Sequence, residues 1–165
     1  MACIIRNIDE NELHIVTSLS HQIWPVAYRE IITTAQIEYM LKTMYSEEAL
    51  QNNLKDGHVF LIAEIDKTPI AYAGFQPHFP MLNTAKLHKL YVLPNLQGKN
   101  IGRQLFHEVQ EQSRKAHCNH LILQVNRNNP AQFFYQKLGM YIQEEQVIDI
   151  GNGFVMDDYI MRLDW

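Results

Sequence analysis

A short turn between a predicted strand and a predicted helix carries the first residues whose types suggest chemistry. Residues 95–107 contain no Asp or Glu, although the positive end of a helix dipole favours acids in the first turn. Two glycines in this stretch leave backbone N–H groups accessible to a bulky anion. The turn therefore predicts a phosphate or pyrophosphate site. Its candidate binding residues are Gln97, Gly98, Lys99, Asn100, Ile101, Gly102 and Arg103.

The glycine pattern excludes two other phosphate-binding motifs. No Lys-Ser or Lys-Thr pair follows Gly102, so the turn is not a P-loop, and its spacing is not that of GxGxxG. A tight strand–helix turn without a ligand remains the alternative interpretation.

A second predicted helix carries Tyr135. Pro130 in the first turn and Gly139 after the last turn are typical of the two ends of a helix. The helix is expected to bury Phe134 and Leu138. On this pattern alone, Tyr135 is a core aromatic residue whose hydroxyl is satisfied.

The alternation of apolar residues predicts the elements that position both segments. Their order is one strand, a helical region, three strands, a helix, a strand, a helix and two strands. Ala85–Val125 is a strand–helix–strand unit, long enough for a right-handed parallel crossover. In the first helical region, Pro25 predicts a kink or break, and Thr34 predicts an N-cap. The fold class is α/β, with residues 1–165 as one domain and a mixed sheet flanked by helices.

The two segments together resemble motifs of the GNAT N-acetyltransferases. Residues 97–102 are similar to the family's Q/R-x-x-G-x-G/A loop, which binds the pyrophosphate of acyl-CoA. Asn100 stands where glycine is usual, and Asn tolerates left-handed backbone better than other non-glycine residues. Residues 128–140 look like N-x-x-A-x-x-F-Y-x-K-x-G-F, with Met140 replacing the last Phe. The resemblance implies a mostly antiparallel sheet with a central parallel pair, acetyl-CoA as co-substrate and no metal.

The resemblance also implies roles for individual residues. Tyr135 matches the general acid that protonates the leaving thiolate. Asn128 matches the residue that contacts pantetheine, and Asn129, one step away, is the alternative. Backbone N–H groups at the end of the fourth strand hold the acyl carbonyl, here those of Leu90, Tyr91 and Val92.

The general base has two candidate positions by the same resemblance. Some family members carry a catalytic His in the frame that His88 occupies, and an imidazole pKa of ~6.5 suits the task. Many others use a Glu on the fifth strand, where Gln124 stands and cannot accept a proton. This difference favours His88 or a water relay, while a strand histidine without catalytic role remains the alternative.

Aromatic residues before the sheet and two acids near the end of the chain indicate an acceptor site. In the family, the first helical region covers the acceptor end of the cleft, and here it contains Trp24 and Tyr28. Asp157 and Asp158 lie on an otherwise apolar strand, so one side chain faces each way. The buried carboxylate needs a partner, which is Arg162, a backbone donor or the ammonium of an amine held between aromatic faces. We expect a small primary amine or polyamine-like acceptor, contacted by Asp157 or Asp158 and by Trp24 or Tyr28.

Composition narrows the class of partner and the compartment. Lys and Arg number 14 against 18 Asp and Glu, a net charge of -4 that argues against nucleic-acid binding through a general basic field. Cys3 and Cys118 form no disulfide framework, and no His or Cys spacing is typical of a metal site. No signal peptide or membrane span is expected, so the expected location is the cytoplasm. A homodimer is compatible with the sequence.

The leading functional hypothesis is an acetyl-CoA-dependent N-acetyltransferase whose amine attacks the thioester directly. A protein N-terminal or lysine acetyltransferase and a non-catalytic acyl-CoA sensor remain open alternatives, as does an unrelated nucleotide-binding module. Tyr135 and His88 argue against the sensor, because a sensor needs neither an acid nor a base.

Overall fold

A twisted sheet forms the centre of the computed structural model, which describes residues 2–165. Within these residues there are seven strands: β1 (Cys3–Ile8), β2 (Val59–Ile65), β3 (Thr68–Pro77), β4 (Thr84–Val92), β5 (His120–Asn126), β6 (Tyr141–Gly151) and β7 (Phe154–Asp164). Their spatial order is β1-β2-β3-β4-β5-β7-β6. β4 and β5 pair in parallel and the other neighbours pair antiparallel, which confirms the predicted mixed sheet with a central parallel pair.

Helices cover both faces of the sheet and bury two hydrophobic clusters. The same residues contain five α-helices: α1 (Leu13–Ala27), α2 (Thr34–Met44), α3 (Glu47–Lys55), α4 (Ile101–Lys115) and α5 (Ala131–Lys137). Helices α1 to α3 pack on one face, where Trp24, Phe60 and Tyr72 are buried. Helices α4 and α5 pack on the other face, where Leu105 and Phe106 are fully buried. Apolar burial on both faces stabilises the central strands between the two helical layers.

Two helix-end predictions need correction. The N-cap of α2 is Thr33, not Thr34, because the Thr33 hydroxyl accepts a hydrogen bond from the N–H of Gln36 at 3.1 Å. Helix α1 is not broken at Pro25 but continues to Ala27. Pro25 lies in the last turn of the helix. Its missing N–H therefore removes one hydrogen bond near the end of the helix and does not interrupt its middle.

The parallel pairing of β4 with β5 stops before either strand ends. It runs from Thr84 opposite His120 to Leu87 opposite Leu123, and then the two strands diverge. The register of β3 against β4 also shifts here, so that His88 has no directly opposite residue in the backbone pairing with β3. The divergence opens a gap at the carboxyl ends of β4 and β5, where α/β sheets bind ligands.

Among residues 2–165, no helix is both long and apolar enough to cross a membrane.

Candidate functional site

A cleft of about 640 Å³ lies in the gap between β4 and β5 and extends over the start of α4. Its volume is within the range of small-molecule sites. Lys99 is not among the residues that line it, although it lies within the same turn. The predicted residues that do line it are Gln97, Gly98, Asn100, Ile101, Gly102, Arg103, Leu90, Tyr91, Val92, Tyr135, His88 and Tyr28.

The turn before α4 adopts the backbone that its residue types allow. Gly98 has a φ of 81° and Asn100, the N-cap of α4, has a φ of 68°. Both values are left-handed, which glycine and asparagine adopt more readily than other residues. At Gly102, an added Cβ would lie 3.3 Å from Cζ of Phe134, so glycine allows α4 to approach α5 closely. With Arg103 at its rim and no acid in its first turn, the start of α4 suits an anion.

The diverging end of β4 directs backbone donors into the gap. The N–H of Leu93 donates to the carbonyl of Ile70 at 2.9 Å, on the β3 side. Because N–H groups alternate sides along a strand, those of Leu90 and Val92 point away from β3. They face the cleft at the level where β5 has already diverged, which is a suitable position for donors to an acyl oxygen.

Tyr135 lies on α5, where its side chain packs into the hydrophobic core and also forms part of the cleft wall. The residue is 8% exposed, and its ring packs between Phe106 and Phe134. Burial is the main cause of a raised pKa for the Tyr135 hydroxyl. The group therefore keeps its proton at neutral pH and is available as a donor.

The loop before α5 distinguishes between two neighbouring asparagines. Asn129 lines the cleft, whereas Asn128 is not among its lining residues. The N–H of Asn128 donates to Oδ1 of Asn126, and the N–H of Ala131 donates to Oδ1 of Asn129. Asn129 is therefore the better placed of the two for contact with a molecule in the cleft.

A second cavity, the small cavity, has a volume of about 180 Å³ and lies on the α1–α2 side of the same gap. Trp24 is 3% exposed and stacks on Tyr28 with 4.3 Å between ring centroids. The hydroxyls of Tyr28 and Tyr91 share a hydrogen bond of 2.8 Å. The small cavity and the cleft meet at this pair and at Leu87, His88, Lys89 and Gln124, because all six residues line both.

The two acids of β7 have different environments. Asp157 forms an ion pair with Arg127 at 2.9 Å and does not line the small cavity. Asp158 is 3% exposed and does line it. Burial, then the charge of Asp157, raises the pKa of Asp158 to about 6. Arg162 is one of the partners expected for the buried carboxylate, but it forms an ion pair with Asp164 at 2.7 Å instead.

His88 and Gln124 lie at the boundary between the two cavities. Nε2 of His88 donates to Oε1 of Gln76 at 3.0 Å. Burial, followed by the nearby charges, lowers the pKa of His88 to about 2, so the ring is neutral and accepts a proton only weakly. Gln124 accepts a hydrogen bond of 2.6 Å from Nζ of Lys86.

Sequence reasoning missed two lysines of β4 that line the small cavity, Lys86 and Lys89. Lys89 is 9% exposed, and burial is the main cause that lowers its pKa to about 8. The available signal was two charges on a strand that otherwise reads as apolar and buried. Lysines are rarely buried without a reason, so such positions are candidates for a functional site.

Comparison with known proteins places this geometry among acetyltransferases. Residues 22–140 match the model of the Acetyltransferase (GNAT) family. The spermidine N(1)-acetyltransferase of Thermoplasma acidophilum is 28% identical over 163 residues, covering 95% of this chain and 97% of that protein.

Two solved structures extend the comparison over the whole chain. The PaiA N-acetyltransferase from Thermoplasma acidophilum, solved with coenzyme A, has a TM-score of 0.84 at 26% identity and covers 100% of both chains. A GCN5-related N-acetyltransferase from Rhodopseudomonas palustris has a TM-score of 0.85 at 16% identity and covers 100% of this chain and 97% of that one. The second similarity shows the fold.

Proposed function

Because the chain belongs to the acetyltransferase (GNAT) family, we propose that it transfers an acetyl group from acetyl-CoA to a primary amine of a small molecule. The observation that carries the proposal is the meeting of two cavities across the gap between β4 and β5. One has an anion-binding helix start, and the other has aromatic walls and a buried carboxylate. A donor and an acceptor bound in these cavities would meet at the gap.

The cleft is proposed to hold acetyl-CoA. Its pyrophosphate would accept hydrogen bonds from the turn of residues 97–103, whose backbone donors lie at the positive end of α4. The similarity to a structure that contains coenzyme A supports this placement. Asn129 would contact the pantetheine arm, since it lines the cleft.

Acetyl transfer then follows from the groups at the gap. The amine nitrogen attacks the thioester carbonyl, so a C–N bond forms while the C–S bond breaks. The N–H groups of Leu90 and Val92 would stabilise the developing oxyanion. Tyr135 would donate its proton to the leaving thiolate, because its raised pKa keeps the phenol protonated at neutral pH.

The acceptor nitrogen must lose a proton before it can attack, because an alkylammonium has a pKa of ~10.4. Asp158 has a carboxylate with a pKa of about 6 in the small cavity, whereas His88 has a pKa of about 2. A base is most effective when its pKa lies near the working pH. We therefore assign the ammonium contact and the proton acceptor to Asp158, with Trp24 and Tyr28 forming the aromatic wall.

The size of the small cavity favours a small acceptor over a protein chain. At about 180 Å³ it is below the usual range of drug-sized sites, so it suits a short amine. The similarity to a spermidine acetyltransferase supports amine acetylation in general.

A thiol-release assay with acetyl-CoA across a panel of amines, amino acids and an N-terminal peptide tests the proposal. We expect release of coenzyme A with small amines and a rise in melting temperature with acetyl-CoA, but not with ATP or NAD. Stabilisation by acetyl-CoA without turnover of any acceptor would indicate a sensor. Turnover of the peptide alone would indicate a protein acetyltransferase.

A further inference from the structure

The charged groups of the small cavity do not balance. Among residues 2–165, the acidic and lysine side chains that line it are Lys86 and Lys89 from β4 and Asp158 from β7. His88 also lines it but is neutral. The cavity therefore presents two cationic groups and one carboxylate to whatever occupies it.

Lys89 has no counterion in the described part of the chain. Its Nζ lies 5.1 Å from the ring centroid of Tyr45 and 6.0 Å from that of Phe60. No carboxylate of residues 2–165 forms an ion pair with it. A buried ammonium held only by aromatic faces is poorly compensated, so an anion next to it would be stabilised.

The ammonium group of Lys86 uses only part of its hydrogen-bonding capacity among residues 2–165. Its Nζ donates to Oε1 of Gln124 at 2.6 Å. Asp158 attracts it, but no ion pair joins the two side chains among residues 2–165. An ammonium has three donors, so Lys86 keeps hydrogen-bonding capacity for a ligand in the small cavity.

We infer that the acceptor is an amine that also carries an anionic group, with its ammonium on Asp158 and its anion between Lys86 and Lys89. The inference rests on the proposed function and specifies the substrate class. A carboxylate and a phosphate share this chemistry. A polycationic amine fits less well, because its further ammonium groups would face two lysines in a site of low dielectric.

Matched acceptor pairs separate the contribution of the anion from that of the amine. Lysine and cadaverine differ by one carboxylate, and phosphoethanolamine and ethanolamine differ by one phosphate. We expect the anionic member of at least one pair to have a kcat/KM higher by about 10-fold or more, which is the value of one good charge-assisted hydrogen bond. The pair that shows the preference identifies the anion.

Variants of the lysines test the site. Lys86→Met and Lys89→Met should each bring the preference within a pair down toward 1. Lys115→Met removes an exposed lysine at the end of α4 and should leave the preference unchanged. The melting temperature of each variant checks its folding, and Lys89→Gln replaces Lys89→Met if the apolar variant does not fold. The preference of the unmodified enzyme is a test that needs no variant.

The outcomes distinguish this inference from the proposed function. If cadaverine or spermidine is acetylated as efficiently as the anionic acceptors, the inference is wrong and the proposed function stands. A preference that survives both lysine substitutions also overturns it. If acetyl-CoA binds but no acceptor is acetylated, the proposed function fails and the inference fails with it.

Discussion

His88 lies flat against His58, with 4.2 Å between ring centroids and 13° between ring planes. Protonation of one ring would place a charge against the other, so the stack favours two neutral rings. Burial lowers the pKa of His58 to about 4, and the same cause with His58 as neighbour lowers that of His88 to about 2. Neither histidine therefore changes its charge near neutral pH.

This arrangement predicts the pH dependence of acetylation. Asp158 is charged above about pH 6 and protonated below it, so it accepts a proton only above that value. The logarithm of kcat/KM for the acceptor should rise with a slope near 1 up to about pH 6. It should then stay level to about pH 8, where Lys89 begins to lose its charge. The measurement is a steady-state profile at saturating acetyl-CoA.

Two variants identify the group that causes the rise in kcat/KM below about pH 6. The rise should persist in His88→Ala and disappear in Asp158→Asn, because the amide does not titrate. A rise that continues between pH 7 and 9 would mean that the enzyme binds free amine and that Asp158 is not the proton acceptor.

Asp158→Asn should raise the acceptor KM by about 10-fold or more, because the ammonium loses a buried anionic partner. Asp157→Asn is the matched control, since Asp157 is paired with Arg127 outside the small cavity. It should change the acceptor KM less than 3-fold, a threshold of ~0.6 kcal/mol. Equal effects of the two substitutions would remove the assignment of Asp158.

Tyr135→Phe should lower kcat by about 100-fold with little change in the KM for acetyl-CoA. The substitution keeps the ring that packs between Phe106 and Phe134 and removes only the hydroxyl. Phe134→Leu changes a ring that packs on Tyr135 but keeps the Tyr135 hydroxyl, so it measures the effect of altered packing alone. Unchanged turnover in Tyr135→Phe would make Tyr135 a core residue only.

Gly102→Glu should abolish detectable acetyl-CoA binding in a calorimetric titration. The new side chain would fill the approach to the start of α4 and place a negative charge beside the pyrophosphate. Gly102→Ala separates bulk from charge, because its Cβ would lie 3.3 Å from Phe134 and needs only a small adjustment. Equal affinity in Gly102→Glu and the parent would refute the placement of the pyrophosphate.

Asp158 should also weaken folding at the pH where it works. Its pKa in the folded state is raised to about 6, above its ordinary value of 3.8, because burial disfavours the charged form. The destabilisation is therefore present above about pH 6 and absent below about pH 4. Asp158→Asn should raise the melting temperature at pH 8 by about 2–4 °C and leave it nearly unchanged at pH 4. A lower melting temperature at pH 8 would contradict this reasoning.

The parts of the site that depend on local backbone were predictable from sequence. The turn of residues 97–103 follows from glycine spacing and missing acids, and the left-handed Asn100 follows from its residue type. The α5 bounds follow from Pro130 and Gly139 in the same way. Each of these depends on neighbours within a few positions of the chain.

The parts that depend on distant contacts were not predictable. The low pKa of His88 is caused first by burial and then by His58, which is 30 positions earlier and is brought next to His88 by the pairing of β2, β3 and β4. Which of Asn128 and Asn129 faces the cleft depends on where residues of β4, α4 and β5 form that cleft. The sequence pattern places Lys86 and Lys89 on the first strand of the Ala85–Val125 unit. It does not show that their side chains face a cavity.

The early end of the β4–β5 pairing also has a mechanical consequence. That parallel seam has four residue pairs, whereas the antiparallel pairings among the described strands have six to nine. The sheet therefore consists of two well-bonded halves, β1–β4 and β5–β7, that can flex about one short seam while each half stays intact. Those backbone amides of Thr84–Leu87 and His120–Leu123 that bond across the seam should exchange with solvent deuterium sooner than those inside either half, and a molecule that bridges the halves would slow them.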